Sequence, residues 1–257
     1  MSPTPRFPVH PSLAFLVLLG SLLFVTVSLG QEKTPPKKAA PAVEAEQEKA
    51  EVPPARTEYK GREIAQTMHW MGASWLLRKT REREESAQEM LRELQLKPGM
   101  TVCDLGCGNG YHALVMAKSV EPTGKVIGVD IQQEMLDMLQ ERAAKKGITN
   151  IVSVLGDYHD PKLKPNTVDL VLIVDAYHEF SHPELMLKAL HRSLKPKGQI
   201  VLVEFRAEDR TVPIKPEHKM SKRQIKKELE PNGFQLVREY DKLPWQHMMF
   251  FGKASSE

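Results

Sequence analysis

Val102-Cys103-Asp104-Leu105-Gly106-Cys107-Gly108-Asn109-Gly110 is the stretch on which the fold turns. Thr101–Asp104 is short and apolar until it reaches an acid, which predicts a buried strand. Three glycines at alternate positions follow. Glycine lets the backbone turn where other residues are strained, and lets a ligand approach the main chain. An apolar helix over His112–Ser119 comes next, so the order is strand, glycine loop, helix. A helix that opens in such a loop points unpaired N–H groups at whatever lies beyond the strand end.

Reading outward toward the C-terminus, strands and helices alternate. Lys125–Asp130 is a strand, Gln132–Lys146 a helix that stops at Gly147, and Ile151–Leu155 a third strand. Asp169–Val174 is almost wholly apolar, as a strand covered on both faces should be. Pro183–Leu194 is a helix with proline in its first turn, and Lys195-Pro196-Lys197-Gly198 turns it into strand Gln199–Phe205. Ser221 and Gln224 form a capping box for a helix that Gly233 ends. Strands Phe234–Tyr240 and Trp245–Phe251 are too close for a crossover and must pair antiparallel. The expected fold is α/β, a doubly wound and mostly parallel seven-stranded sheet with a reversed terminal hairpin.

On the N-terminal side, residues 58–96 predict a helical cap. Ile64, Met68, Met71 and Trp75 make one helical stripe, and Ala87, Met90, Leu91 and Leu94 the buried side of a second, charged helix. Residues 97–253 form the main domain. Residues 31–57 are rich in Pro, Ala, Lys and Glu and lack Leu, Ile and aromatics, which predicts a disordered linker. In residues 1–30, Arg6 precedes an apolar run from Leu13 to Val27 and the small-residue stretch Ser28-Leu29-Gly30. That pattern predicts a signal peptide and export to the periplasm or exterior. The alternative is an uncleaved anchor over residues 12–29, which would associate the chain with a membrane.

The chain has 257 residues, 36 basic and 33 acidic, for a net charge of +3. No strong field points to a nucleic-acid partner. The two cysteines, Cys103 and Cys107, are too close together to staple a domain, and neither is expected to hold zinc. No metal site is expected.

In a doubly wound sheet, ligands bind beyond the carboxyl ends of the strands at the topological switch point. Three successive strand ends there carry an acid: Asp104, Asp130 and Asp157. Asp130 is placed to accept from ribose hydroxyls, and Gly156-Asp157-Tyr158 offers an acceptor and a ring beside an adenine. An adenosine ligand with a cationic amino end accounts for all three acids. A dinucleotide site competes, since Gly108-Asn-Gly110-Tyr-His-Ala113 matches G-x-G-x-x-A with Asp130 following. Against it, Asp104 would set a negative charge beside a pyrophosphate.

Residues 98–252 resemble the class I S-adenosylmethionine-dependent methyltransferases through Val102–Gly110 and Val126-Ile-Gly-Val-Asp130-Ile131. The resemblance implies methyl transfer from S-adenosylmethionine by in-line displacement at the sulfonium methyl. It sets the methionine end of the cofactor on Gly106, Cys107, Gly108 and Gly110, with Asp104 near the amino group. It also sets Asp130 on the ribose, Ile131 and Asp157 at the adenine, and the backbone of Asp175 beside the methionine. Family members place substrate-facing residues in Asp175-Ala-Tyr177-His178-Glu179-Phe180, so His178 is expected as base or acceptor contact. Glu204 and Arg206 end strand Gln199–Phe205 on the same rim, with a mutual ion pair as the simplest reading. The cap should cover the cleft and bring His69 or Trp70 near the substrate. No Asn-Pro-Pro-Tyr-like motif follows Val174, which argues against DNA-base amines and leaves a small-molecule or lipid acceptor. The alternative function is an inactive cofactor-binding or interaction module of the cell envelope.

Overall fold

The computed structural model describes residues 51–255, and the signal or anchor segment and most of the linker lie outside that range. A short hairpin comes first, β1 (Glu58–Tyr59) and β2 (Arg62–Glu63), turning at Lys60 and Gly61 with φ of 49° and 88°. A 3-10 segment, Trp70–Leu77, leads to α1 (Arg81–Glu85) and α2 (Ala87–Glu93). The alternating part runs β3 (Thr101–Leu105), α3 (Ala113–Val120), β4 (Lys125–Asp130), α4 (Gln133–Lys145) and β5 (Ile151–Leu155). It continues with β6 (Val168–Val174), α5 (Pro183–Ser193), β7 (Leu194–Arg206) and β8 (Lys219–Met220). Last come α6 (Lys222–Leu229), β9 (Phe234–Tyr240) and β10 (Gln246–Lys253).

The main sheet has the order β5-β4-β3-β6-β7-β10-β9, with β8 paired to β7 beside it. β10 inserts between β7 and β9 and runs antiparallel to both. The rest is parallel, so helices must cross over the faces. Strand periodicity then sorts the core into two layers. Met248 and Phe250 face α2, α3 and α4, and Met249 and Phe251 face α5 and α6. β3 has β4 on one side and β6 on the other, so the chain reverses its direction of growth at β3. A crevice opens there.

Three sequence expectations change, the first being that β8 gives the main sheet eight strands rather than seven. β7 starts at Leu194 rather than Gln199, because the Lys195–Gly198 turn is absorbed into a strand whose pairing with β6 shifts register. The Ile64–Trp75 stripe is not an α-helix, and Met71 and Trp75 are 71% and 42% exposed. Partners outside the segment hold its backbone instead. Ala65 N–H donates to the His178 carbonyl (3.2 Å), and Trp70 N–H donates to Gln132 Oε1 (2.8 Å). Gln132 Nε2 donates in turn to the Met68 carbonyl (2.9 Å). Backbone groups satisfied from outside have no need of a helix. Among the described residues no helix is long and apolar enough to cross a membrane.

Candidate active site

Gly106, Gly108 and Gly110 all take left-handed backbone, with φ of 73°, 50° and 79°. The loop has no room for side chains. A Cβ at Gly108 would lie 2.6 Å from Leu76 of the 3-10 segment, and one at Gly110 would lie 2.1 Å from Leu139 of α4. The N–H groups of Gly106 and Cys107 donate to the Val129 carbonyl at 2.9 and 3.0 Å, so the loop folds back on the end of β4. Asn109 Nδ2 reaches the Ala73 carbonyl (2.9 Å), which ties the cap to the loop.

A cavity of about 610 Å³ opens between this loop, the ends of β4 and β6, and the cap. Of the residues expected to bind the cofactor, Gly106, Gly108, Asp130, Ile131, Asp157 and Asp175 line it, as does His178. Asp104, Cys107 and Gly110 do not. Cys107 packs into the core, Gly110 abuts Leu139, and Asp104 is 2% exposed behind the loop. Those three shape the loop from behind rather than face the cavity.

The acids differ in state. Asp130 accepts from Gly108 N–H (2.9 Å) and Gln132 N–H (3.0 Å), and burial outweighs these bonds to raise its pKa. Asp104 has an Oδ2 without a hydrogen-bond partner among the described residues. Burial pushes its carboxyl up to about 7, against the pull of the Ala113 N–H and the Arg81 charge. Asp175 has φ 49°, accepts at Oδ2 from Gln246 Nε2 (2.7 Å) and leaves Oδ1 without a partner among the described residues. Burial and the Glu85 and Glu204 carboxylates raise its pKa well above the ordinary range. Asp157 is half-exposed, with Oδ1 on the Tyr158 N–H at 2.8 Å.

His178 lies on the 3-10 turn Tyr177–Glu179 just past β6 and is 2% exposed. Its Nδ1 is 2.6 Å from Glu204 Oε2, and its backbone N–H also points at Glu204 (3.3 Å). The short contact assigns the Nδ1 proton to that bond, so Nε2 carries the lone pair, which meets His218 Nδ1 at 3.0 Å. Burial lowers the imidazole pKa, but the charge and hydrogen bond of Glu204 outweigh it and leave the pKa raised. The expected Glu204–Arg206 ion pair is absent because β7 points Glu204 at His178, while Arg206 donates to the Leu243 carbonyl (3.0 Å) and that of Pro244. Neither His69 nor Trp70 reaches the cavity; the cap contributes Gln66, Thr67, Met68, Trp75 and Leu76 instead. The extended path of residues 64–69 turns His69 outward, where its Nδ1 accepts from Met71 N–H (3.3 Å).

Several site residues escaped the sequence reading. Arg81 lines the cavity, buried, with Nε on Glu85 Oε2 (2.7 Å), Nη1 on the Leu76 carbonyl (2.9 Å) and Nη2 against His112 Nε2 (3.0 Å). The spacing of Arg81 and Glu85 was the available signal, but it reads equally as a solvated helix face. His218, from the 3-10 turn Pro216–His218, places Nδ1 3.0 Å from His178 Nε2. Its loop carries no periodicity that could have announced it.

The strand order, the glycine loop at the switch point and the acids on successive strand ends define an S-adenosylmethionine-binding methyltransferase fold. Comparison with known proteins agrees, since residues 96–249 match the family model described as "Methyltransferase domain". The chain belongs to the class I S-adenosylmethionine-dependent methyltransferases. It resembles the crystal structure of a SAM-dependent methyltransferase from Aquifex aeolicus at 27% identity and TM-score 0.68, covering 72% of this chain and 98% of that one. A demethylmenaquinone methyltransferase from Staphylococcus carnosus is 32% identical over 117 residues, 46% of this chain and 48% of the relative. An uncharacterized 37.1 kDa protein in transposon TN4556 of Streptomyces fradiae is 34% identical over 115 residues, 45% of this chain and 33% of the relative. The chain thus spans about half or less of the length of these curated relatives.

The residues present fit the family's cofactor. The unpaired Oδ1 of Asp175, a residue of the cavity wall, suits a cationic amino group, and Arg81 suits a carboxylate. Asp130 keeps lone pairs toward the cavity for hydroxyls, and Ile131 and Tyr158 offer apolar surface to a purine. The volume lies within the ~300–1,000 Å³ of small-molecule sites.

Proposed function

We propose that this chain transfers the methyl group of S-adenosylmethionine to a small, largely apolar acceptor bound in the same cavity. The observation that carries this reading is the continuity of one cavity from the glycine loop and Asp130 to the Glu204-held His178. In the proposed assignment Gly106 and Gly108 seat the methionine end, Asp175 flanks its amino group with the Asp104 charge acting from behind the loop, and Arg81 pairs with its carboxylate. Asp130 holds the ribose, and Ile131 and Asp157 border the adenine. When bound, the cofactor supplies an already activated methyl electrophile, so much of the rate comes from positioning. His178 and His218, in contact through His178 Nε2, stand on the acceptor side of the cavity, where the pair orients an acceptor hydroxyl or, once Nε2 exchanges His218 for the acceptor, receives its proton.

Around His178 the cavity lining includes the apolar residues Phe180, Met186, Phe205, Pro213 and Ile214, together with Glu179, Lys215 and His218. The apolar part of that lining favours a ring-bearing or lipid-like acceptor. The name of the Staphylococcus carnosus relative, demethylmenaquinone methyltransferase, supports a quinol-like ring as the first acceptor class to try. The Leu13–Val27 run supports export or anchoring, and mass spectrometry of the mature N-terminus tests it: Gln31 first means cleavage, Met1 retained in a soluble chain rejects both.

Calorimetry with S-adenosylhomocysteine tests the site. Asp130→Ala loses a charged acceptor for buried hydroxyls, worth ~1.5–3 kcal/mol or roughly ten- to a hundredfold in affinity. His178→Ala keeps cofactor affinity and loses turnover on any acceptor found. A folded Asp130→Ala protein with wild-type affinity removes the assignment.

A further inference from the structure

We propose that His178, Glu179 and His218 form a binding site for a divalent first-row metal ion of the zinc class, on the acceptor side of the cavity. The ligand atoms of the three residues all lie within 4.8 Å of one another. His178 Nε2 and His218 Nδ1 are 3.0 Å apart, and Glu179 Oε1 is 3.9 Å from His178 Nε2. Two imidazole nitrogens each ~2.0–2.1 Å from one ion are separated by roughly 2.8–3.4 Å, depending on the coordination angle. The nitrogens are therefore already at ligand spacing, and a rotamer adjustment of Glu179 brings its carboxylate in.

The surroundings match what a metal-binding histidine needs. Such a histidine nearly always donates its other ring N–H to a carboxylate or carbonyl, which fixes the tautomer and makes the ligating nitrogen more basic. Glu204, fully buried, does this for His178 at 2.6 Å. Two of the nearby cations are engaged elsewhere, while Lys215, beside the His218 turn, also lines the cavity. Lys219 Nζ is held by the carbonyls of Asp209 and Val212 at 3.1 and 2.6 Å, and Arg62 Nη1 by the His178 carbonyl at 2.8 Å. All three candidate ligands line the cavity. Two histidines and one carboxylate leave coordination positions open, the arrangement of ions that bind a substrate rather than only brace a fold. An acceptor bearing a hydroxyl or enolic oxygen would complete the shell, while the ion ties the Tyr177–Glu179 turn to the Pro216–His218 turn.

This deepens the methyltransferase reading and rests on its placement of the acceptor; in the metal-bound form the ion, rather than the Nε2 lone pair, meets the acceptor oxygen and favours loss of its proton. Without an ion, His218 Nδ1 donates to His178 Nε2 and the pair is only hydrogen-bonded. The experiment takes the purified full chain, strips it with chelator, and titrates it with zinc by calorimetry and with cobalt by visible absorption. One equivalent of zinc should bind, and zinc should raise the melting temperature in a chelator-reversible way. Glu204→Gln should weaken zinc by about 10–100-fold, and His218→Ala and Glu179→Gln by at least as much. Cobalt should give d–d bands that His218→Ala abolishes. Failure to bind one equivalent, or binding that both His218→Ala and Glu179→Gln leave unchanged, overturns the site. Titration with S-adenosylhomocysteine on the same samples separates the two readings. Cofactor binding without zinc binding sinks the metal site alone, whereas absent cofactor binding sinks the methyltransferase assignment.

Discussion

The glycine loop after β3 and the cap over residues 58–93 line the same cavity and are held by opposite means. The loop's shape is written locally. Its three left-handed glycines and the buried strand before them leave one way to turn, and neighbours merely close around it. The cap has little local preference of its own. It is drawn along the cavity by the His178 carbonyl, by Gln132, and by Arg62, which reaches Glu228 on α6 at 2.7 and 3.1 Å. One region can be folded in the mind from its own residues, and the other only once its partners are in place.

That contrast can be broken most severely at the Arg62–Glu228 pair, where Glu228 is fully buried. Arg62→Met strands that carboxylate, with Gln224 as its remaining side-chain donor, and should cost about 3–5 kcal/mol in denaturant unfolding. An unchanged midpoint would mean the cap is not anchored through this pair. Gly110→Ala probes the loop. It combines left-handed strain with crowding of Leu139, together about 2–4 kcal/mol, and should also reduce cofactor binding. If Gly110→Ala is silent while Arg62→Met is not, the loop is less locally determined than its φ values imply.

A smaller effect is expected from pH. Folding raises the Asp104 pKa to about 7, so below that value the folded chain keeps a proton the unfolded chain gives up. Stability from that proton is lost as pH rises from the ordinary carboxyl range through about 7. A cationic amino group on the cavity side of the loop favours the ionised form of Asp104 behind it, so cofactor loading expels the proton. Affinity should rise with pH by up to about tenfold per unit, and level off near 7. Asp104→Asn should flatten the slope in calorimetry; a slope that survives points to another group. The smallest effect belongs to Met71, 71% exposed, where Met71→Ala should stay within about 0.5 kcal/mol in thermal melts. A larger loss would restore the helical stripe that the sequence suggested.

The sheet was legible because its signals are local and redundant. β4 and β5 begin and end where strand periodicity places them, Ser221 Oγ does accept from Gln224 N–H (3.1 Å), and Gly233 ends α6 and its final turn with φ 84°. Asp130 and His178 were legible as positions, since strand ends at a switch point are geometric facts. Their partners were not. Glu204 lies on a different strand, β7, and His218 lies in a loop whose path depends on β8 pairing with β7. The cap failed for a related reason: apolar residues at helical spacing carry no record of carbonyls elsewhere that will claim their N–H groups.

Gln132 has a consequence for how this architecture can vary. Its side-chain amide accepts from Trp70 and donates to Met68, imitating the paired donor and acceptor of a neighbouring strand's backbone. Only an amide of that reach satisfies both at once, since glutamate lacks the donor and asparagine lacks the length. The two main-chain groups it meets are separated by a fixed stretch of the cap. An insertion or deletion between them would therefore break the match, whatever residues it contained. Among descendants of this chain, length should drift in the loop between β7 and β8 and stay frozen between Met68 and Trp70, a segment whose composition is free and whose count is not.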